Sequence, residues 1–426
     1  MKVICAPADW SFRPDHSADL EVVLFSRADR PQRGAAGARI IRVVKEAKLR
    51  PDPRAWDLLS LALAVTAADL GVRRDRSPDG WTREINLQVA VSDPSFWREH
   101  RSLLENQLRF LTTDRWTVTF VDGGARPSPP KRVVQPDEDC VSLLSGGLDS
   151  LVGAIDLVGG HGRRPYLVSQ VAKGDKKRQV RFASLIGSGL SHLQLNHDTK
   201  CPAQHERSQR ARSIAFLAYG VLLATALRRY SDGDEIPLFV CENGFISVNP
   251  PLTIGRLGSL STRTAHPVFL SQFQRLLDMA ELRVRLTNPY EFVTKGEMLS
   301  DCDDQPLLEA LAHASTSCGR FARYAYKHCG RCVPCLIRRA SLHAWRGQDS
   351  TPYHYSDLWR DDTNHARFDD VRSAAMAVTQ IRRDGPDRWL GASLCSKLMD
   401  DATPYREVVK RGIDELSRFL RAVQVM

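Results

Sequence analysis

The stretch Cys140-Val-Ser-Leu-Leu-Ser-Gly-Gly-Leu-Asp-Ser150 decides how the middle of this chain is expected to fold. Its first five residues form an apolar strand pattern, and the apolar periodicity after Ser150 predicts a helix. Between them, Gly146 and Gly147 permit a tight turn in which the backbone can approach a phosphate closely. The two serines add hydroxyl donors. Asp149 can hold Mg²⁺ or fix the conformation of the loop. The order of strand, glycine turn and helix therefore predicts a phosphate-binding loop.

This loop differs from the two commonest nucleotide-binding motifs. It lacks the lysine of a Walker A motif, and it is not a GxGxxG dinucleotide fingerprint. A tight glycine turn with serine caps is the structural alternative. If the loop binds a phosphorylated ligand, the residues predicted to contact it are Leu144, Ser145, Gly146, Gly147, Leu148, Asp149 and Ser150.

Strand and helix patterns alternate on the carboxyl side of the loop. The predicted strands are residues 140–144, 166–171, 193–196, 237–241 and 282–287. The predicted helices between them are residues 150–158, 178–186, 208–230 and 267–279. Such alternation predicts an α/β fold with a doubly wound parallel sheet, in which ligands bind beyond the carboxyl ends of the strands.

Composition and pattern divide the chain into four predicted regions. Residues 1–121 combine strand-like alternation with two helical patterns, which predicts an N-terminal α+β domain of unknown role. Residues 122–138 are rich in Pro and Gly and predict a linker. Residues 139–346 form the core with the phosphate loop, and residues 347–426 are predicted to form a helical C-terminal tail.

The overall composition is that of a globular protein. The chain has 426 residues, of which 42% are hydrophobic and 26% charged, and this excludes a disordered chain. No apolar run reaches the roughly 18 residues of a membrane span, and the N-terminus lacks the apolar core of a signal peptide. We therefore expect a cytoplasmic protein without a membrane partner. The net charge of +10 suits an acidic or phosphorylated partner.

Four of the ten cysteines lie close together near residue 330: Cys318, Cys329, Cys332 and Cys335. Four thiolates at C-x10-C-x2-C-x2-C spacing can wrap one tetrahedral Zn²⁺, and a full set of protein ligands predicts a structural site. A redox CxxC pair and an iron–sulfur cluster are alternatives. Residues 310–348 also carry seven Lys or Arg and no acidic residue, which predicts either a basic face or an ordinary solvated surface.

The loop and the tetrad together, in this order and about 170 residues apart, resemble the QueC family of 7-cyano-7-deazaguanine synthases. That family belongs to the PP-loop ATP pyrophosphatases, and the resemblance covers residues 139–346. It implies an adenine nucleotide alpha hydrolase-like fold with a zinc knuckle, and it implies ATP, Mg²⁺ and Zn²⁺ as cofactors. Lys295 stands where the family has a lysine after its fifth strand, and we predict a catalytic role for it beside Asp149.

The added N-terminal region and helical tail resemble the QueC-like component of the Qat anti-phage defence system. This resemblance implies an ATP-dependent C–N ligase that adenylates a 7-carboxy-7-deazaguanine-type carboxylate and passes it to an amine, on a partner protein. The family's GRN element is missing, since Arg210-Ala-Arg-Ser213 stands in its place. The SGYPDCR-like run after the fourth strand is also missing, which puts nitrile formation in doubt.

Two segments after the fourth strand supply further candidates. Glu242, Asn243 and Arg256 are predicted to bind the substrate. Arg263 could neutralise the leaving pyrophosphate, and His266 could accept a proton from the amine. The alternative is an ordinary loop in which His266 caps the next helix. The basic run at residues 173–181 could reach phosphates, or it could be a solvated helix start.

Two other functions remain open at this stage. A tRNA-modifying PP-loop enzyme would grip RNA with the basic segment, but thiolation needs a reactive cysteine, for which Cys140 and Cys241 are weak candidates. A zinc-stabilised scaffold that binds a nucleotide without catalysis would preserve the same loop. Nucleic acid is thus a possible partner but not the preferred one.

Overall fold

The computed structural model describes residues 1–12, 18–172, 174–202, 206, 209–253, 263–358, 370–394, 399 and 401–426. Within these residues, ten strands form two five-stranded sheets in which every pairing is parallel. The first sheet contains β1 (Lys2–Pro7), β2 (Leu20–Leu24), β3 (Gly34–Ala36), β4 (Glu84–Ala90) and β5 (Arg115–Val121). The second contains β6 (Cys140–Leu143), β7 (Pro165–Gln170), β8 (His192–Leu195), β9 (Ile236–Phe239) and β10 (Val284–Thr287).

Helices surround both sheets. Those of the N-terminal region are α1 (Ile40–Glu46), α2 (Pro53–Gly71), α3 (Pro94–Glu99) and α4 (Arg101–Thr112). Those of the core are α5 (Leu148–Gly159), α6 (Lys176–Leu185), α7 (Ile214–Ala224), α8 (Arg228–Ser231), α9 (Gly244–Ser247), α10 (Pro267–Met279), α11 (Lys295–Ser300), α12 (Gln305–Ala312) and α13 (Val333–Arg346). The tail contains α14 (Asp370–Asp384), α15 (Pro386–Leu394) and α16 (Thr403–Ala422).

The N-terminal region corrects one prediction. Its sheet is parallel, with strand order β3-β2-β1-β4-β5, so the region is α/β and the predicted α+β class is wrong. The sequence misled because β5 is an edge strand whose side chains alternate between buried and exposed, a pattern typical of antiparallel strands. Alternation reports which face is buried and does not report strand direction.

The second sheet has the order β10-β9-β6-β7-β8 and agrees with the predicted parallel, doubly wound arrangement. It is consistent with a PP-loop type of fold, although the specific fold stays a prediction. The predicted long helix at residues 208–230 is instead two helices, α7 and α8. The backbone N–H groups of Arg210 and Ala211 donate to the carboxylate of Asp69. This segment therefore contacts helix α2, which packs on the first sheet.

A single hydrophobic core joins the two sheets. Helix α2 is buried on every side from Ala55 to Asp69, because it packs against the first sheet on one face and against α7 on the other. Helix α7 in turn packs on β6, β7 and β9 of the second sheet. An all-round apolar helix is expected where two layers cover it. The proposed division into four regions stays a prediction.

The tail helices pack against the core through a separate apolar cluster, in which Phe245, Leu336 and Leu416 are buried together. Helix α16 contacts α9, α11 and α13 and thereby reaches the carboxyl end of the second sheet. Across the described residues, no helix combines the length and the apolar character that a bilayer crossing requires.

Candidate active site

The candidate active site lies where the second sheet changes its winding direction. Strands β6 and β9 are neighbours at its centre, and the chain leaves them for opposite edges, which is the usual place for a ligand in such sheets. The loop after β6 and the segment after β9 face a cavity of about 190 Å³. Its lining residues are Ser145, Gly147, Leu148, Asp149, Ser150, Cys241, Glu242, Ile246, Lys295, Thr316, Ser317, Pro334 and Ile337.

The phosphate loop has the conformation that its glycines predict. Gly146 has φ +88°, a left-handed conformation that residues with a Cβ rarely adopt. The Oγ atoms of Ser145 and Ser150 lie 2.9 Å apart, and the backbone N–H of Gly147 donates to Ser145 Oγ at 3.1 Å. Helix α5 begins at Leu148 without a side-chain cap, and Leu148, Asp149 and Ser150 of its first turn line the cavity, as an anion site at a helix N-terminus requires.

Asp149 is held between two side chains from other parts of the chain. Lys295 Nζ lies 2.7 Å from its Oδ1, and Asn243 Nδ2 donates to its Oδ2 at 2.6 Å. Burial would raise the pKa of Asp149, but the charge of Lys295 and these hydrogen bonds outweigh it and hold the pKa below its usual value. Asp149 is therefore an anion in the folded protein.

Glu242 faces the same buried aspartate. Burial, followed by the negative charge of Asp149, raises the pKa of Glu242 well above its usual value. Two carboxyl groups with a single ammonium therefore share this cavity. Such a pair stays partly protonated unless another cation neutralises it, and paired carboxylates are favourable ligands for Mg²⁺.

Asn243 was predicted to bind the substrate, but both polar atoms of its side chain form hydrogen bonds within the protein. Its Oδ1 accepts a hydrogen bond from Ile246 N–H at 3.0 Å and caps α9, while its Nδ2 donates to Asp149. The side chain is fully buried. In this geometry Asn243 acts by orienting Asp149, and its predicted contact with a substrate stays untested.

Arg263 and His266, which were predicted to be catalytic, contact Phe110 of helix α4 and do not line this cavity. Arg263 donates to the carbonyl oxygen of Phe110 at 3.1 Å. His266 accepts a hydrogen bond from Val268 N–H through Nδ1 at 3.2 Å and caps α10, with its ring against Phe110. The structure thus favours the capping alternative for His266, and the proposed catalytic roles of both residues stay predictions. Arg256 lies outside the described residues.

The four cysteines Cys318, Cys329, Cys332 and Cys335 converge on one point. Their sulfur atoms all lie within 4.8 Å of one another, and the Cys318–Cys332 and Cys329–Cys335 distances are 3.9 and 3.8 Å. A tetrahedral ion with Zn–S bonds of about 2.3 Å would place its sulfurs about 3.8 Å apart. Backbone N–H groups of Cys329 and Cys332 donate to the sulfurs of Cys318 and Cys329, as expected for thiolates. The tetrad could hold a metal ion, and its donor set fits Zn²⁺.

The cysteine segment also forms part of the cavity. Thr316, two residues before Cys318, donates its N–H to the carbonyl oxygen of Gly146 at 2.9 Å. Ser317 and Pro334 line the cavity beside it. A metal ion in the tetrad would therefore fix one wall of the phosphate loop.

The predicted basic face of residues 310–348 is only partly present. Arg338 is fully buried and donates to Ser315 Oγ and to the carbonyl oxygen of Ala312. Arg331 is also buried and donates to the carbonyl oxygen of Asp357. These two guanidinium groups are buried and bind carbonyl and hydroxyl groups of the protein itself, so they do not form part of an exposed basic face.

Sequence reasoning placed the run at residues 173–181 near phosphates without singling out the residues that contact the phosphate loop, and it missed Thr316. Gln179 donates to the carbonyl oxygen of Ser145 at 3.1 Å, and Arg178 pairs with Asp175 at 2.5 Å next to Gly146. The basic run after β7 was the available signal, but charge alone could not single out these residues. Thr316 carried no signal, because its contact is made by the backbone.

Comparison with known proteins gives consistent relatives. The chain is 33% identical over 258 residues to a 7-cyano-7-deazaguanine synthase of Rhizobium leguminosarum bv. trifolii, a match that covers 54% of this chain and 99% of the relative. It is 26% identical over 245 residues to a 7-cyano-7-deazaguanine synthase of Brucella canis, covering 52% of this chain and 96% of the relative. No protein-family model matches the chain, and no solved structure matches it at a significant level.

These matches include nearly the whole length of each relative but only about half of this chain, which agrees with a conserved core carrying additional regions. The resemblance to QueC proteins is therefore confirmed, whereas the specific resemblance to the Qat component stays a prediction. With its phosphate loop, its buried lysine–aspartate pair and its four convergent cysteines, the chain belongs to the 7-cyano-7-deazaguanine synthase family.

Proposed function

We propose that this protein is an AMP-forming, ATP-dependent C–N ligase that adenylates a 7-carboxy-7-deazaguanine-type carboxylate. The activated acyl group then passes to an amine, on a partner protein, as part of anti-phage defence in the cytoplasm. The observation that carries the proposal is the set Asp149, Lys295 and Glu242 beside the phosphate loop. Family membership supplies the substrate class.

The cavity suits the phosphate end of ATP. At about 190 Å³ it is smaller than the roughly 300–1,000 Å³ of a complete small-molecule pocket, so we assign it to the phosphates alone. The loop N–H groups and the serine hydroxyls would bind phosphate oxygens. Asp149 and Glu242 would hold Mg²⁺, which would neutralise negative charge on the phosphates.

Each polar group has a distinct task in the proposed reaction. A carboxylate oxygen of the substrate attacks the α-phosphorus of ATP, and the bond to pyrophosphate breaks. Lys295 supplies positive charge where the leaving group gains negative charge, and Asn243 keeps Asp149 oriented. The amine then displaces AMP from the acyl group and loses a proton.

The acceptor amine and the partner rest on resemblance to the defence component. The family's GRN and SGYPDCR-like elements are absent. Arg210, in the segment that replaces GRN, donates to the carbonyl oxygen of Thr112 and to the Thr113 hydroxyl. A core without those elements has room for a different nucleophile, and the added first sheet offers a surface for recruitment. These features support an amide product on a protein rather than a nitrile.

A thiolating enzyme finds less support in the same geometry. Cys241 lines the cavity, but burial raises the pKa of its thiol far above the usual range, and the same holds for Cys140. A sulfur carrier needs an accessible thiolate. Neither cysteine meets that requirement.

The test measures pyrophosphate and AMP release from ATP with and without 7-carboxy-7-deazaguanine. The matched control is the double variant Ser145→Ala/Asp149→Ala, which removes the loop hydroxyl and the central carboxylate. We expect the acid to stimulate release by the natural protein and the variant to be silent. Mass analysis of the acceptor would then identify the amine.

Two results would count against the proposal. If ATP binds but the acid leaves pyrophosphate release unchanged, the substrate assignment is wrong and a nucleotide-binding scaffold is favoured. If release depends on added tRNA instead, the tRNA-modifying function replaces the ligase.

A further inference from the structure

The C-terminal helix α16 contacts the segment that carries Lys295. Glu415 of this helix is 8% exposed, and its carboxylate accepts hydrogen bonds from the Thr294 hydroxyl and from Gly296 N–H, the latter at 3.3 Å. Lys295 is the residue between these two donors. Glu415 therefore contacts both neighbours of the lysine, through the Thr294 side chain and the Gly296 backbone.

This contact requires a close approach between the two helices. A Cβ added at Gly296 would lie 2.5 Å from Glu415 Oε1, so only glycine fits there without displacing the carboxylate. The start of α11 already has a capping box formed by Thr294 and Glu297. That box supplies no acceptor for the N–H of Gly296 in the first turn, and the buried carboxylate of Glu415 supplies it from another helix.

The same helix also packs against α9, the helix that Asn243 caps. Gly412 of α16 packs directly against the ring of Phe245 in α9, and a Cβ at Gly412 would overlap that ring. Asn243, which donates to Asp149, is the cap of α9. Both side chains that hold Asp149 thus belong to segments braced by α16.

We propose that Glu415 is a positioning residue for Lys295 and that α16 is an integral part of the active site. This inference rests on the proposed function of the same site. Lys295 must reach Asp149 from the first residue of a six-residue helix, and Glu415 fixes where that helix begins. A tail outside the phosphate-loop core thereby controls the geometry of the central lysine–aspartate pair.

The experiment compares Glu415→Gln with Glu407→Gln. Glu407 lies on the same helix but is half-exposed and pairs with Lys410, so it matches the chemical change without touching the site. Pyrophosphate release gives kcat and KM for ATP, and hydrogen exchange of residues 293–300 reports on the start of α11. We expect Glu415→Gln to lower kcat by about 10- to 100-fold, with KM within about twofold, and to speed exchange at residues 293–300.

A second variant guards against simple unfolding. Gly296→Ala keeps the carboxylate but pushes it from the start of α11, and we expect the same selective loss of kcat. The inference is overturned if Glu415→Gln keeps both kcat and the exchange rates, or if it lowers thermal stability with no change in kcat per folded molecule. If the natural protein releases no pyrophosphate, the proposed function fails, and unchanged exchange at residues 293–300 would then overturn the inference separately.

Discussion

Two buried aspartates lie at the carboxyl ends of strands in the two sheets, but their carboxylates have different partners. Asp57 of α2 lies at the carboxyl end of β4, and Asp149 of α5 lies at the carboxyl end of β6; each of these strands is an interior strand of a five-stranded parallel sheet. Asp57 accepts hydrogen bonds from Ser92 N–H, Ser92 Oγ, Asp93 N–H and Trp97 Nε1, at 2.7 to 3.3 Å. Asp149 instead faces Lys295 and a cavity.

The difference follows from the donors around each carboxylate. Burial raises the pKa of Asp57, and its neutral donors only partly offset that effect. The ammonium of Lys295 holds the pKa of Asp149 below its usual value. Asp57 is used to tie the end of β4 to α2, whereas Asp149 keeps a charge at a phosphate loop. Similar sheets therefore do not imply similar functions, and the residues at the loops decide.

The largest expected effect is on catalysis. We expect Asp149→Asn to reduce pyrophosphate release by about 10³-fold, because the charge that orients Lys295 and a bound cation is lost. Steady-state assays with the natural protein as reference would measure it. Retention of more than a tenth of the natural rate would show that Asp149 is not central.

The matched control is Asp57→Asn. It should lower the free energy of unfolding by roughly 3 kcal/mol, since an amide cannot accept from all four donors, yet leave turnover per folded molecule unchanged. Denaturant unfolding and the same assay would separate the two effects. A selective loss of turnover here would mean that the first sheet also contributes to the reaction.

The next effect concerns the cysteine tetrad. Cys332→Ser should remove the bound metal and lower activity by about 100-fold, because Thr316 would no longer be fixed against Gly146. Metal content by mass spectrometry and pyrophosphate release would be measured together. Cys201→Ser, a half-buried cysteine outside the tetrad, should keep both; full metal content in Cys332→Ser would contradict the tetrad as a metal site.

A smaller effect is expected from acid. Burial lowers the pKa of His192, His197 and His328 to about 4, from about 6.5 in an unfolded chain. The unfolded state thus binds more protons between these values, so the free energy of unfolding should fall as pH falls from 6.5 to 4. Denaturant unfolding across this range would measure the slope. His192→Gln should reduce it, and an unchanged slope would exclude His192 as a contributor.

The smallest effect is expected at His266. Because its ring nitrogen caps α10, His266→Asn should keep pyrophosphate release within about twofold, as asparagine is itself a favourable N-cap. His266→Ala should cost about 1 kcal/mol of stability. A large fall in kcat for His266→Asn, without loss of stability, would instead restore the proton-accepting role.

Local patterns predicted much of the molecule. The strands of the second sheet, the phosphate loop and the cysteine tetrad all follow from short-range order, namely apolar periodicity, a glycine turn and sulfur spacing. The C-terminal region was predicted to be helical, and three helices lie between residues 370 and 422 of its described part. Each of these features is written in consecutive residues, because the backbone conformation or the ligand set is local.

Other features depend on which elements become neighbours. The sequence could name Asp149 and Lys295, but only the fold shows Glu242 and Asn243 against the same carboxylate, or Glu415 behind the lysine. It could not give the parallel direction of the first sheet, since alternation of side chains does not encode strand direction. Nor could the sequence decide whether His266 caps a helix or accepts a proton during the reaction. The sequence alone determined the loop, the thiolates and the helical tail; the tertiary structure decided how distant segments pack around Asp149, because long-range contacts set its charge and its partners.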